Sequence, residues 1–191
     1  METHINYITK LAFLELRRLS HIRPYIDVES AKTLASAFVL SRLDYCNSLF
    51  AGLPENKLDK LQRVQNGAAR LILKKRKYER VTPLLKQLHW LPVRARIEYK
   101  LALLCFKSKH AQSPGYINDL VSPHRSLRSL RSSSSDTLAI PKTKLKNFGD
   151  RAFSFSGPTA WNNLPNNIKG CKSLTTFRSQ LKTFLFRKYL E

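Results

Sequence analysis

Apolar residues recur every three or four positions along much of the chain, which is the spacing of one face of an α-helix. The first stripe contains Ile5, Ile8, Leu11, Ala12, Leu16, Leu19 and Ile22. It predicts an amphipathic helix over residues 4–21 that ends before Pro24. Asp27 is placed to cap a second helix. This second helix should be mostly buried, through Ala31, Leu34, Ala35, Phe38, Val39, Leu40 and Leu43.

Two basic helical segments lie between Pro54 and Lys109, separated by a short helix over residues 83–88 and a corner at His89 and Trp90. At 100° per residue, the first segment places one group of apolar residues on a single face: Leu58, Leu61, Val64, Ala68, Leu71 and Ile72. The opposite face carries Arg63, Asn66, Arg70, Lys74 and Lys77. The second segment begins after Pro92 and is apolar over most of its surface, which predicts burial. Its narrow cationic stripe is formed by Arg96, Lys100 and Lys107.

The C-terminal third changes in character. Residues 122–136 are rich in Ser and Arg and contain only two leucines, so they predict an exposed linker. Residues 137–141 and 151–156 have the pattern of short strands, which predicts a small hairpin. A short helix from Pro158 to Trp161 and a terminal amphipathic helix after Ser173 should follow.

These elements predict a mainly α fold: a multi-helix bundle, a Ser/Arg-rich linker and a small C-terminal part with helix and a little β structure. The expected domains are a helical domain with the basic helix pair (1–121), the linker (122–136) and the C-terminal segment (137–191).

The charge is strongly positive and unevenly distributed. The 191 residues carry a net charge of +21, with 42% hydrophobic and 25% charged residues, which is a globular composition. Residues 61–110 contain 13 basic and 2 acidic residues, whereas residues 1–60 contain 8 and 7. A nucleic acid is the commonest partner for such an excess, and an anionic membrane surface is the alternative.

The cysteines indicate neither a disulfide framework nor a zinc site. Cys46, Cys105 and Cys171 are far apart and odd in number, and no C-x-x-C spacing occurs. Cys46 and Cys105 lie in apolar helical context, so we expect both to be small core residues. The N-terminus is too polar for a signal peptide, and no apolar run approaches about 20 residues. We therefore expect an intracellular protein, nuclear or cytoplasmic, with no membrane partner.

No catalytic constellation is recognisable. A two-metal polymerase site needs paired carboxylates, and the aspartates here are isolated from one another. No P-loop, G-x-S-x-G or H-E-x-x-H motif occurs either. We expect no enzymatic activity, no catalytic or metal-binding residue and no cofactor.

The candidate binding residues are cations that could contact phosphates: Arg63, Arg70, Lys74, Lys75, Arg76, Lys77, Arg96, Lys100 and Lys107. The run at 74–77 could instead be a nuclear-import signal, or could offset the negative end of a helix dipole. The stripe on the first basic helix could be an ordinary solvated face, but residues 61–77 contain no acid. In the linker, Arg125, Arg128 and Arg131 fit a phosphate-binding arm, a serine-phosphorylation substrate or a solubilising spacer.

Aromatic residues add a second candidate chemistry. Trp90, Trp161 and Tyr78 could stack on nucleic-acid bases. Both tryptophans are flanked by leucine and proline, which is more typical of corner residues that fill a core.

Four sequence segments carry a resemblance to a known family: SRLDYCNSLFAGLP (41–54), LDKLQRVQNGAARLIL (58–73), LHWLPVRARIEYKLALLCFK (88–107) and FGDRAFSFSGPTAWNNLP (148–165). Together, from about residue 5 to 190, they resemble the region downstream of the reverse transcriptase domain in LINE-type (non-LTR) retrotransposon polyproteins of the jockey and Rex-like kind. The resemblance implies the thumb-adjacent and C-terminal part of an RNA-directed DNA polymerase polyprotein. In that family the carboxylate pair lies upstream, in the palm, and the palm and thumb would be partners in the parent polyprotein.

The expected function is therefore non-catalytic binding of template RNA or primer duplex by basic helix faces. The alternative is an inert or scaffold-only remnant of a truncated element, and a basic membrane-surface protein comes third because its cations are spread over several helices. We also expect self-association through the apolar stripe of the N-terminal helix.

Overall fold

A computed structural model describes residues 1–124 and 136–191, and its fold is mainly α-helical, as predicted. The helices are α1 (Glu2–Ile22), α2 (Val28–Ala35), α3 (Ser41–Asp44), α4 (Glu55–Ile72), α5 (Val81–Leu88), α6 (Val93–Lys109), α7 (Gly115–Asn118), α8 (Lys146–Gly149), α9 (Phe153–Asn162), α10 (Asn166–Lys169) and α11 (Leu174–Leu190). Short 3-10 turns span Arg23–Tyr25 and Asn47–Phe50.

The chain forms two compact units. Unit 1 contains Met1–Asn47, Leu53–Arg96 and Tyr189–Glu191, and unit 2 contains Ser48–Gly52 and Ile97–Lys188. The predicted linker lies mostly outside the described residues, including Arg125, Arg128 and Arg131. The division into 1–121, 122–136 and 137–191 therefore stays a prediction.

In unit 1, α1 packs on α4, and the two helices run in the same direction. Near their N-termini, Lys57 lies 3.1 Å from Glu2, and at their C-terminal ends Arg23 hydrogen-bonds to Ile72. The α1 stripe is buried in this contact at Ile5, Ile8, Ala12, Leu16 and Leu19. Most of this stripe is therefore not the exposed patch that we expected, although Ile22 at its end is 45% exposed. Self-association stays a prediction.

The apolar face of α4 is confirmed at Leu58, Leu61, Val64, Ala68 and Ile72, all of which are buried. Leu71 was assigned to the same face but is only half-buried. Gln65 is buried instead, and its side-chain amide donates to the carbonyl of Leu91 at 2.8 Å. Gln62 accepts a hydrogen bond from the Val93 amide at 2.9 Å, which satisfies a free N–H at the start of α6.

The second helix begins as predicted, because the Asp27 carboxylate accepts from the Ser30 amide at 3.0 Å. A π-helical turn over Ser36–Leu40 then joins α2 to α3. This wider turn changes the register of the apolar stripe. Val39 and Leu40 are buried, whereas Phe38, predicted to be buried, is 52% exposed.

Unit 2 has its core where α6, α9 and α11 contribute large side chains. Phe106 stacks on Phe177 with ring centroids 4.2 Å apart, and Trp161 lies 5.8 Å from the same Phe177 ring. At Gly157, a Cβ would lie 3.0 Å from the Cys105 sulfur, so glycine permits this close approach. Burial raises the pKa of the Cys105 thiol to about 12.

The predicted hairpin does not form. Residues 153–156 begin α9, and Leu138 makes only an isolated bridge with Pro123. A helix satisfies its own backbone groups, whereas two short strands alone are marginal. The other correction concerns Cys46, which is exposed rather than part of the core, whereas Cys105 is buried as predicted.

Candidate nucleic-acid interface

The first basic helix ends at a left-handed residue. Lys74 has φ = 52°, and the Lys75 amide donates to the Arg70 carbonyl at 2.8 Å. The Lys74 amide donates to the Leu71 carbonyl at 3.3 Å. This pair of hydrogen bonds is a Schellman-type helix stop, formed here by lysine where glycine is usual. It directs the chain out of α4 into residues 74–80, which we call the basic turn.

The basic turn is held by Glu79. Its carboxylate accepts from the Arg76 amide at 3.0 Å, and its own amide donates to the Arg76 carbonyl at 3.2 Å. The first of these bonds, assisted by the nearby charge of Lys75, lowers the pKa of the Glu79 carboxyl. Glu79 is therefore ionised at neutral pH and fixes the backbone of the turn.

The basic turn presents five cations and one acid. Lys74, Lys75, Arg76, Lys77 and Arg80 are all exposed. Within residues 1–124 and 136–191, only Lys75 of these five forms an ion pair, with Glu79 at 3.5 Å. The other four cations are available to an external anion. Arg63 is also exposed, two helical turns before Arg70, and forms no ion pair within the described ranges.

Arg70 does not have the role predicted for it. Its Nε and Nη2 atoms donate to the Glu79 carbonyl at 3.3 and 3.0 Å, and the side chain is half-buried. The guanidinium thus ties the end of the basic turn to α4. Arg70 positions the turn rather than offering a free cation to a ligand.

Arg96 is also committed within unit 1. Its guanidinium forms an ion pair with Asp44, and its Nε donates to the Leu91 carbonyl at 3.2 Å. The remaining cations of the predicted α6 stripe belong to unit 2, where Lys100 is exposed and Lys107 is half-buried. Among the predicted site residues, only Lys74, Lys75, Arg76 and Lys77 therefore lie together in one turn.

The three aromatic candidates for base stacking differ in their exposure to solvent. Trp90 and Trp161 are 6% and 0% exposed, which confirms their expected place in the core. The Trp161 indole N–H donates to the Asp136 carbonyl at 2.9 Å. Tyr78, at the centre of the basic turn, is instead 92% exposed.

The sequence did not predict the roles of two arginines. Arg80 extends the basic turn, and its proximity to residues 74–77 was a usable signal. Arg23 is 5% exposed and donates to the carbonyl at the end of α4, at 2.6 Å from Nη2. No local pattern distinguishes Arg23 from its exposed neighbours on α1.

The described residues offer neither a metal site nor a membrane-spanning helix. Among the described residues, no group of three or more His, Cys, Asp or Glu side chains could hold a metal ion. Within that same part of the chain, no helix is both long and apolar enough to cross a membrane. No protein-family model, curated protein or solved structure matches the chain.

Proposed function

We propose that this chain is a non-catalytic nucleic-acid-binding fragment of a retrotransposon reverse transcriptase polyprotein. It would contact the phosphates of template RNA or primer duplex through the basic turn. The polymerase chemistry would belong to the palm, which is also the proposed partner of this fragment in the parent polyprotein. The origin and this partner rest on the sequence resemblance, and the phosphate contacts rest on the geometry of unit 1.

The binding proposal rests mainly on two properties of the basic turn, its exposed positive charge and its hydrogen-bonded backbone. Five exposed cations lie within seven residues, and the one acid among them is engaged by the Arg76 amide and by Lys75. An ordinary solvated face mixes charges of both signs and pairs them. An ordered turn also loses less conformational entropy when it binds a ligand.

The number of phosphates follows from the cations that remain available. Arg63, Lys74, Arg76, Lys77 and Arg80 have no ion pair within the described residues, which gives about five contacts. Because phosphate contacts release counterions, log affinity should fall with log salt at a slope of about −4 to −5 on duplex DNA. The slope should be about −3 to −4 on single strands.

The experiment measures binding of the purified full chain by fluorescence anisotropy at several salt concentrations. The ligands are single-stranded RNA, duplex DNA and vesicles of anionic phospholipid. The test variant combines Lys74→Gln with Lys77→Gln. The matched control combines Lys57→Gln with Lys60→Gln, two lysines near the other end of α4 that face Glu2 at 3.1 and 3.7 Å.

Both variants remove two positive charges from unit 1, at opposite ends of α4, so a general charge effect would be equal in the two. We expect the 74/77 variant to flatten the slope by about 1.5 to 2, and the 57/60 variant to leave it nearly unchanged. Equal losses in both variants, a slope near zero, or binding to vesicles alone would overturn the proposal. Lack of all binding would favour the inert remnant.

A further inference from the structure

Tyr78 is the most exposed large hydrophobic side chain described in the protein, at 92%. Exposure of a single aromatic ring is common on protein surfaces. The surroundings of this ring are not common, because Lys77 precedes it and Arg80 follows two residues later, both exposed. In the sequence, Tyr78 therefore lies between two exposed cations that have no ion pair within the described residues, with Glu79 as its other direct neighbour.

The backbone that carries Tyr78 is fixed on both sides. The Glu79 amide bonds to the Arg76 carbonyl at 3.2 Å, and the Glu79 carboxylate bonds to the Arg76 amide at 3.0 Å. Arg70 then holds the Glu79 carbonyl at 3.0 Å from Nη2. An aromatic ring on a fixed turn can accept a flat partner without the cost of first ordering a loop.

The chemistry of the ring and its neighbours selects one type of ligand. A nucleic-acid base has a flat face that can stack on a tyrosine ring. The phosphate of the same nucleotide is close enough for the neighbouring cations to contact it. A duplex hides these faces within its own stack, whereas a single strand exposes them. We infer that Tyr78 is a base-stacking residue and that the basic turn takes single-stranded nucleic acid in preference to duplex.

This inference rests on the proposed phosphate-binding function and adds the class of ligand to it. Other exposed tyrosines lack the same setting. Tyr25 is 87% exposed, but its neighbour Arg23 is buried and bonded to the Ile72 carbonyl, and Asp27 follows. Tyr25 therefore serves as a matched control in the same unit, with nearly the same exposure and no free cation beside it in the sequence.

The test compares the wild-type full chain with Tyr78→Ala, Tyr78→Trp and Tyr25→Ala. The probes are a short oligodeoxythymidylate, a duplex of equal length and inorganic polyphosphate, which has the charge of a nucleic acid without its bases. Circular dichroism and thermal unfolding check the fold of each variant. Because Tyr78 is almost fully exposed, its replacement should leave both measurements unchanged.

We expect Tyr78→Ala to weaken binding of the oligodeoxythymidylate by about 5- to 150-fold, the range for loss of one base–aromatic stack. Its affinity for polyphosphate and the salt slope should not change, since no cation is removed. Tyr78→Trp should restore binding, and its fluorescence should be quenched by the oligonucleotide. Tyr25→Ala should behave as wild type.

Two results would overturn the stacking inference alone: unchanged oligonucleotide affinity in Tyr78→Ala, or an equal loss on polyphosphate. In either case wild-type binding with the expected salt slope would leave the proposed function standing. If the wild-type chain binds none of the three probes, the proposed function and the stacking inference both fail.

Discussion

The Arg23 guanidinium holds the carbonyl of Ile72 from two of its nitrogens, at 3.0 Å from Nε and 2.6 Å from Nη2. A third nitrogen, Nη1, donates to the Ile26 carbonyl at 2.7 Å. Ile72 is the last residue of α4, so the buried cation lies at the negative end of the helix dipole. This contact fixes the end of α1 to the point from which the basic turn leaves α4.

The first prediction tests this contact. Arg23→Leu keeps an apolar stem but removes every donor, so the carbonyls of Ile72 and Ile26 lose their partner. The free energy of unfolding should fall by about 1 to 3 kcal/mol for each buried acceptor left unsatisfied. Urea denaturation measures this change in the free energy of unfolding. Arg17→Leu, an exposed position on the same helix, is the control and should change stability by no more than about 0.5 kcal/mol.

Equal effects at the two positions would show that the bonds to Ile72 and Ile26 contribute nothing specific. A loss confined to Arg23→Leu would confirm the capping role of the buried guanidinium.

Much of the helical framework could be predicted from sequence periodicity. The stripe of α1, the Asp27 cap and the buried face of α4 all follow from local spacing. Phe38 could not be placed correctly, because a π-helical turn changes the register without an obvious local signal. Residues 153–156 alternate like a strand but form a helix, since the tertiary contacts of Gly157 and Trp161 outweigh the local pattern.

The candidate site was predictable only where it is local. The run at 74–77 is contiguous in sequence, so its presence in one turn needed no long-range information. Arg96 pairs with Asp44, 52 residues away, and Arg23 bonds to Ile72, 49 residues away. Charge counting cannot separate such committed cations from free ones, because their partners are set by tertiary packing.

The second prediction concerns the left-handed conformation of Lys74. Non-glycine residues are strained at φ = 52°, so Lys74→Gly should relieve strain at the helix stop. The free energy of unfolding should rise by about 0.5 to 1 kcal/mol, because part of the relief is offset by the greater freedom of glycine in the unfolded chain. Binding should weaken at the same time, since one cation of the basic turn is lost.

Lys74→Gln is the matched control, because it removes the same charge and keeps the strained backbone. Anisotropy should show weaker binding in both variants, and urea denaturation of the same samples should show a gain in stability for Lys74→Gly alone. A gain in stability for Lys74→Gln, or no gain for Lys74→Gly, would contradict the account of the helix stop.

The third prediction is a pH dependence at the start of α2. Hydrogen bonds from the Ser30 side chain and then from its amide lower the pKa of the Asp27 carboxyl below its ordinary value. A carboxylate whose folded pKa is lowered adds stability above the unfolded pKa, and this stability is lost as the pH falls through the folded value. Wild type should therefore lose the Asp27 contribution as acid is added below about pH 4.

Asp27→Asn is the informative comparison, since its amide oxygen still accepts from the Ser30 amide but does not titrate in this range. Urea midpoints of both proteins should be measured from neutral to acid pH. Any advantage of wild type over the variant should shrink as the pH falls. A difference that stays constant over the whole range would exclude the Asp27 carboxylate as its source.

The last prediction separates positioning from phosphate contact within the basic turn. Arg70 holds the Glu79 carbonyl, whereas Lys77 is exposed and has no ion pair within the described ranges. Arg70→Gln should weaken nucleic-acid binding by loosening the turn, yet leave the salt slope nearly unchanged, because the slope counts phosphates contacted. Lys77→Gln should flatten the slope on duplex DNA by about 0.9. Hydrogen exchange at the amides of Lys75, Arg76 and Glu79 should accelerate in Arg70→Gln alone, since only that variant frees the turn. If both variants change the salt slope equally and hydrogen exchange stays unchanged, Arg70 contacts phosphate directly, as the sequence predicted.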